Sequence, residues 1–256
     1  RCVYETGQTL HRIHGFPLAI NAGDALHGIV NLVLLENHEK LGAQKALQIH
    51  HHLNLVMQKT FEGQALDIGW VEKEVFPNRG QYLQMIVRKT GWYSGRGPCQ
   101  CGALIAGKEG ELFESLGDFG ESLGIGFQIR DDILNLTESS ESNAPEAQDG
   151  GYGKEQGGDF AEGKRTLITI EMLERLNPEE QNRLKNILLK ARAEVTEEEI
   201  IWAVEQSERC GALDAARLEA QNHAQRASSA LSKMPQGSPR KILEALLGFL
   251  AEDRKV

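Results

Sequence analysis

Several things are scarce in this sequence, and each scarcity removes a class of protein. Basic residues are outnumbered: 28 lysines and arginines face 37 aspartates and glutamates, for a net charge of −9. That diffuse negative field excludes the broad basic footprint a nucleic-acid partner requires, although a local lysine cluster can still hold a small anion. Cysteine occurs four times, at 2, 99, 101 and 210. Only Cys99 and Cys101 lie close together, and a C-x-C without a second pair does not make a zinc site. Reduced structural thiols in a cytoplasmic protein are the expectation. No apolar run is long enough to cross a bilayer, so no membrane span is expected. The opening RCVYETGQTLHRIHG lacks the apolar centre of a signal peptide. It also lacks an initiator methionine, which points to a native chain that begins earlier. No segment alternates apolar and polar residues with period two, so strands are not expected.

What remains is helical. The 256 residues are 40% apolar and 25% charged, an ordinary balance for a globular chain of one large domain or two small ones. In AINAGDALHGIVNLVLLENHEKL, residues Ile20, Ala25, Ile29, Val33 and Leu35 fall roughly along one side of a helix. A second helix is expected from about Ala43 to Trp70, then a break at FPNRG, residues 76–80. QYLQMIVRKTGWYSG is helical again, with Pro98 expected to kink or interrupt it. The long segment GELFESLGDFGESLGIGFQIRDDILNL carries Leu112, Leu116, Phe119, Leu123, Phe127 and Leu134 as apolar positions. Its glycines at 117, 120, 124 and 126 cost helix propensity, which suggests close approach of another helix or a ligand. Residues 137–158, rich in Ser, Gly and Glu, read as a long flexible loop of the kind that serves as a lid. Beyond them, Asn177 followed by Pro178 opens one helix. Thr196 with Glu199 makes a capping box for the next, and Gly211 suits its end. The expected fold class is an all-α bundle.

The chemistry concentrates in GFQIRDDILNL, residues 126–136. Helical spacing puts Gln128, Asp131, Asp132 and Asn135 on one strip, because residues three and four apart share a face. Two adjacent carboxylates repel each other and resist burial. Either basic partners neutralise them, or a hard divalent cation does, and Mg²⁺ suits a few carboxylates plus phosphate oxygens. The following GKEQGGDFAEGKRT places Lys154, Asp159, Lys164 and Arg165 among glycines, and lysines with close-approaching backbone are phosphate-binding chemistry. A third element, RKTG, sets Lys89 and Thr90 at an expected kink of an apolar helix. The consecutive His50, His51 and His52 point to different faces and cannot make one metal site.

Taken together, FQIRDDILNL, GGDFAEGKRT, EGQALDIGW and KTG, with HRIHGFPLAINAGDAL and CGALDAARLEA, resemble the trans-isoprenyl diphosphate synthases (polyprenyl synthetases), the geranylgeranyl branch above all. The resemblance covers essentially the whole chain. It implies a single isoprenoid synthase-type helical domain over 1–256 around a deep cavity, and a homodimer. It implies a Mg²⁺-dependent prenyltransferase that joins isopentenyl diphosphate to an allylic diphosphate, giving a C15–C20 product. Asp131 and Asp132 would hold the metal. Lys89, Thr90 and Gln128 would sit at the reacting carbons and leaving diphosphate, Lys154 and Lys164 on that diphosphate, and Gln64 and Asp67 along the cavity. The family's first aspartate-rich motif has no counterpart here, and Asn135 replaces the last acid of the second. A non-catalytic regulatory subunit of this fold and a class I terpene cyclase are the rival readings.

Overall fold

In the computed structural model, residues 8–137 and 156–251 are described. Among these residues there is no strand. The chain divides into two compact units, Arg1–Asn54 and Leu55–Val256, with the boundary inside a helix.

The first unit holds α1 (Leu10–His14), α2 (Phe16–Glu36), α3 (His38–Leu41) and the start of α4 (Ala43–Glu72). Pro17 lies in the first turn of α2, where its missing N–H is no loss. No residue of α2 is buried. Most of its apolar side chains lie open, with Phe16, Ile20, Leu26, Ile29 and Leu32 all more than half exposed. The expectation about membrane length needs correcting here. Within the segment Phe16–Leu41 an 18-residue window reaches a mean hydropathy of 1.5, long and apolar enough to cross a membrane by length and composition alone. A search for unbroken apolar runs passes over it because Asn21, Asp24, His27 and Asn31 interrupt the run singly. Inside this unit, Asn31 Nδ2 donates to the His27 carbonyl at 2.9 Å and Asn54 Nδ2 to Asn31 Oδ1 at 3.4 Å, tying α2 to α4.

The second unit contains the large core. After α4 come α5 (Arg79–Ile86), a π-helix (Val87–Arg96), α6 (Gly97–Ile105) and α7 (Glu111–Thr137). Then follow α8 (Gly158–Ala161), α9 (Leu167–Arg175), α10 (Pro178–Leu189), a 3₁₀ turn (Arg192–Glu194), α11 (Glu197–Arg209), α12 (Ala212–Ser232) and α13 (Ser238–Ala251). The local signals hold: Asn177 with Glu180 and Thr196 with Glu199 form reciprocal capping boxes, and Gly211 takes a left-handed φ of 75°. Pro98 does not interrupt its helix. It sits in the first turn of α6, where the hydrogen-bond register returns from π to α.

At the centre α7 packs against the π-helix and α12. Its buried face is phased differently from the expected one. Phe119, Ile125, Ile129, Ile133 and Leu136 are buried, whereas Phe127 is 42% exposed. The acid strip therefore lies next to the core. The glycines explain the close crossing: a Cβ on Gly95 would land on the Gly120 carbonyl, and one on Gly124 would press on the Thr90 and Gly91 backbone. The main core joins Trp70, Tyr82, Ile86, Ile129, Leu167, Met172 and Leu213. Each such side chain contributes about 1.5–3 kcal/mol on burial.

Candidate active site

The π-helix follows α5 without a break, and its wider turns re-aim the side chains they carry. Thr90 is buried, and Lys89 leans over the side of α4. Gly63 makes this approach possible, since any side chain there would collide with the Lys89 backbone. One turn on from Gly63, Asp67 accepts an ion pair from Lys89 Nζ at 2.5 Å.

Across from this corner, α7 presents its strip. Gln128 Nε2 donates to Asp132 Oδ1 at 3.0 Å, and Thr90 Oγ1 donates to Gln128 Oε1 at 3.4 Å. The Tyr82 hydroxyl of α5 donates to Asp132 Oδ2 at 3.2 Å. Asn135 faces the other way. Its Oδ1 accepts the Asp159 amide at 3.1 Å and its carbonyl accepts the Gly157 amide at 2.7 Å, so it anchors the turn that enters α8. Gly157 can make that turn because it adopts a φ of 73°. Lys164 Nζ then lies 2.5 Å from Asp159 Oδ1. Arg165 is buried, stacks on Phe76, and gives Nε to the Val75 carbonyl and Nη1 to the Gly163 carbonyl, leaving Nη2 without a hydrogen-bond partner.

These groups converge on one cavity of about 70 Å³. Its lining includes Asp67, Lys89, Thr90, Gln128, Asp132 and Lys164, together with Tyr82 and Arg165. Of the residues expected from sequence, Asp67, Lys89, Thr90, Gln128, Asp132 and Lys164 meet here. Asp131 is half-buried and does not line the cavity. Gln64 is exposed outside it, and Lys154 lies outside the described residues. Arg165 and Thr166 come in with the GKRT motif that carries Lys164, whereas Tyr82 carries no motif signal of its own and is brought in by the packing of α5. A larger groove of about 860 Å³, between α7 and α12, is lined by Glu121, His223, Arg226 and Lys233 and lacks this convergence.

The electrostatics set two carboxylate-paired ammonium groups and a buried guanidinium beside a buried acid. Burial pushes the Asp132 carboxyl up to about 7; the charge of Asp159 adds to this, the Gln128 hydrogen bond opposes it, and Asp131 raises it further. Burial would draw the Lys164 ammonium down, but the hydrogen bond and charge of Asp159, with Glu162, raise it well above its usual value. Burial likewise lowers Arg165 from its ordinary value, with Glu74 opposing. A divalent cation fits such a donor set. Among the described residues no group of three or more His, Cys, Asp and Glu forms a complete cage. Mg²⁺ does not need one, because it binds through one or two carboxylates with waters and phosphate oxygens. It would offset the burial, and the charges of Asp159 and Asp131, that push the Asp132 carboxyl up.

Comparison with known proteins places the chain in a family. The family model for polyprenyl synthetase matches residues 7–206. A geranylgeranyl diphosphate synthase of Sulfolobus acidocaldarius is 33% identical over 254 residues, covering 96% of this chain and 71% of its own. The crystal structure of geranylgeranyl pyrophosphate synthetase from Pyrococcus horikoshii superposes with a TM-score of 0.82 at 27% identity, over 98% of this chain and 71% of that one. A geranylgeranyl pyrophosphate synthase from Corynebacterium glutamicum, solved with isoprenyl diphosphate and magnesium, gives a TM-score of 0.76 at 25% identity, over 95% and 68% of the two chains. With its helical bundle, its aspartate–lysine cavity and its matched sequence, this chain belongs to the polyprenyl synthetase family.

Proposed function

We propose that the protein is a trans-prenyltransferase. It condenses isopentenyl diphosphate with an allylic diphosphate to give a short-chain polyprenyl diphosphate of C15–C20, of which geranylgeranyl diphosphate is the C20 case. The observation that carries this reading is the convergence of Lys89, Thr90, Gln128, Asp132 and Lys164 on one cavity. The reading takes 1–256 as one isoprenoid synthase domain acting as a cytoplasmic homodimer. Cys99, Cys101 and Cys210 are free thiols, in keeping with that compartment.

The allylic C–O bond breaks to give a carbocation and a diphosphate anion. The isopentenyl double bond attacks the cation, and a proton then leaves the adduct for the released diphosphate. Lys164 and Lys89, each now held by a carboxylate at 2.5 Å, turn to the diphosphate and hold its growing charge. Lys154, outside the described residues, keeps only the diphosphate-contacting role that the sequence resemblance implies. Gln128 and Thr90 orient the reacting end, while Met85 and Ile86 line the cavity and exclude water from the cation. Asp131 and Asp132 would hold Mg²⁺, the ion bound by the corynebacterial relative; when bound it neutralises the leaving group. Tyr82 keeps Asp132 in place through its hydroxyl.

The test is incubation of the protein with isopentenyl diphosphate, dimethylallyl, geranyl or farnesyl diphosphate and Mg²⁺, followed by sizing of the products. A C15–C20 diphosphate is expected. Failure to elongate any primer overturns the reading. In the same assay Asp131→Ala should lower turnover by roughly 10²-fold or more with the circular dichroism unchanged.

A further inference from the structure

Arg79 stands at the first helical position of α5, directly after the N-cap Asn78. A cation there opposes the helix dipole, so the helix itself gains nothing from it. What it meets lies on other elements. Nη2 is 2.7 Å from Glu219 Oε2 of α12, and Nη1 pairs closely with Glu171 Oε1 of α9. Both carboxylates are deeply buried, with side-chain exposures of 2% for Glu171 and 7% for Glu219.

Each acid also has a neighbour on its own helix, one turn away. Arg175 pairs with Glu171, and His223 Nε2 lies 3.3 Å from Glu219 Oε1. Arg79 is the group among the described ion pairs that reaches both acids, and it does so from a third element. Its planar fork suits two acceptors held at fixed angles. The linkage it makes is therefore between helices.

Those three helices matter for the cavity. One turn along α5 from Arg79, Tyr82 places its hydroxyl on Asp132, and the helix then runs on into the π-helix bearing Lys89 and Thr90. On the other side, α9 begins directly after Lys164, Arg165 and Thr166, all of which line the cavity. A rotation of α5 about its axis would withdraw Tyr82 and turn Lys89 together.

Resting on the function proposed above, we propose that Arg79 is a positioning residue. By clamping the start of α5 to Glu171 and Glu219, it sets the rotation of α5 and the π-helix, so that Tyr82, Lys89 and Thr90 face the diphosphate. It touches neither the substrates nor the reacting atoms.

The test uses the 256-residue chain and three variants: Arg79→Met, Arg79→Lys, and the triple variant Arg79→Met, Glu171→Gln, Glu219→Gln. The single Arg79→Met change strands two buried carboxylates and is prone to unfold. The triple variant removes the stranded charges, so it should fold cooperatively while lacking the fork. Two quantities are read: hydrogen exchange over residues 79–96 against 111–137, and calorimetric binding of inorganic pyrophosphate with Mg²⁺. In the triple variant, exchange over 79–96 should rise about 10-fold with 111–137 unchanged, and pyrophosphate affinity should fall about 10-fold. Arg79→Lys, which can satisfy one acid at a time, should fall between the triple variant and the parent in both. Parent-like affinity in the triple variant overturns the proposal, whatever its exchange. Unfolding of the triple variant also overturns it, because the network is then a structural staple. A parent chain that does not bind pyrophosphate defeats the proposed function instead. The exchange measurement then decides the clamp alone, with unchanged exchange over 79–96 counting against it.

Discussion

Asp132 shows most sharply what the site costs the fold. Its carboxyl is held near 7 in the folded chain, against 3.8 for the free group. The folded state thus binds the proton more tightly than the unfolded state. The group favours folding at low pH and destabilises progressively as pH rises from 3.8 to about 7. Asp132→Asn keeps a similar shape and can still pair with Gln128 and Tyr82. Without divalent cation it should therefore stabilise the chain at pH 8, by on the order of 1–3 kcal/mol in thermal unfolding, and the gain should vanish towards pH 4. Turnover should fall in the same variant, since stability and activity pull apart at such a position. The thiols offer a second residue-scale check. Burial pushes Cys99 up to about 11. At pH 8 its alkylation by iodoacetamide should run about 100-fold slower than that of free cysteine and accelerate towards pH 11. Tyr82 could not be found from sequence in the same way as Asp132, because nothing in QYLQMI says which carboxylate its hydroxyl will meet.

At the scale of elements, the π-helix is the feature that makes the cavity. It re-registers the chain between α5 and α6, and α7 fits against it only because Gly95 and Gly120 let two backbones touch. Gly95→Ala should abolish folding or cost more than about 4 kcal/mol, because the new methyl meets backbone that cannot swing away. Gly102→Ala in α6 is the control. It is exposed, with nothing within 4 Å of the added carbon, and should raise stability by about 0.5–1 kcal/mol in denaturant titration. The helix ends were legible because their causes are local. Asn177 reads its own third residue, and so does Thr196. The phase of α7 was not legible. Leu116, Leu123 and Phe127 make as good an apolar stripe as Ile125, Ile129 and Ile133. What buries the second set is the π-helix and α12, neither of which can be seen from within the segment.

For the whole molecule, the open question of partners sits in the first unit. An apolar helix with no buried residue is an unfinished surface. The homodimer in the proposed function would cover it. Sedimentation should then find a dimer, and Leu26→Glu with Ile29→Glu should shift it to monomer with helicity retained, since both side chains are exposed in the chain by itself. A parent chain that sediments as a monomer and floats with phospholipid vesicles would instead assign α2 to a membrane surface.

The amino-acid order alone determined the all-α class, the helix caps, the close-approach glycines of α7 and the run of acids and lysines from which the site is built. Each of these follows from spacing within a few turns or from the chemistry of single side chains. Only the tertiary structure decided that Lys89 of the π-helix, Asp132 of α7 and Lys164 before α9 share one cavity, that Asn135 anchors a turn, and that Arg79 bridges two buried acids. The reason is physical. A helix's own periodicity says which residues share a face, but which face is buried, and what it meets, depends on elements 50 or 100 residues away in the chain.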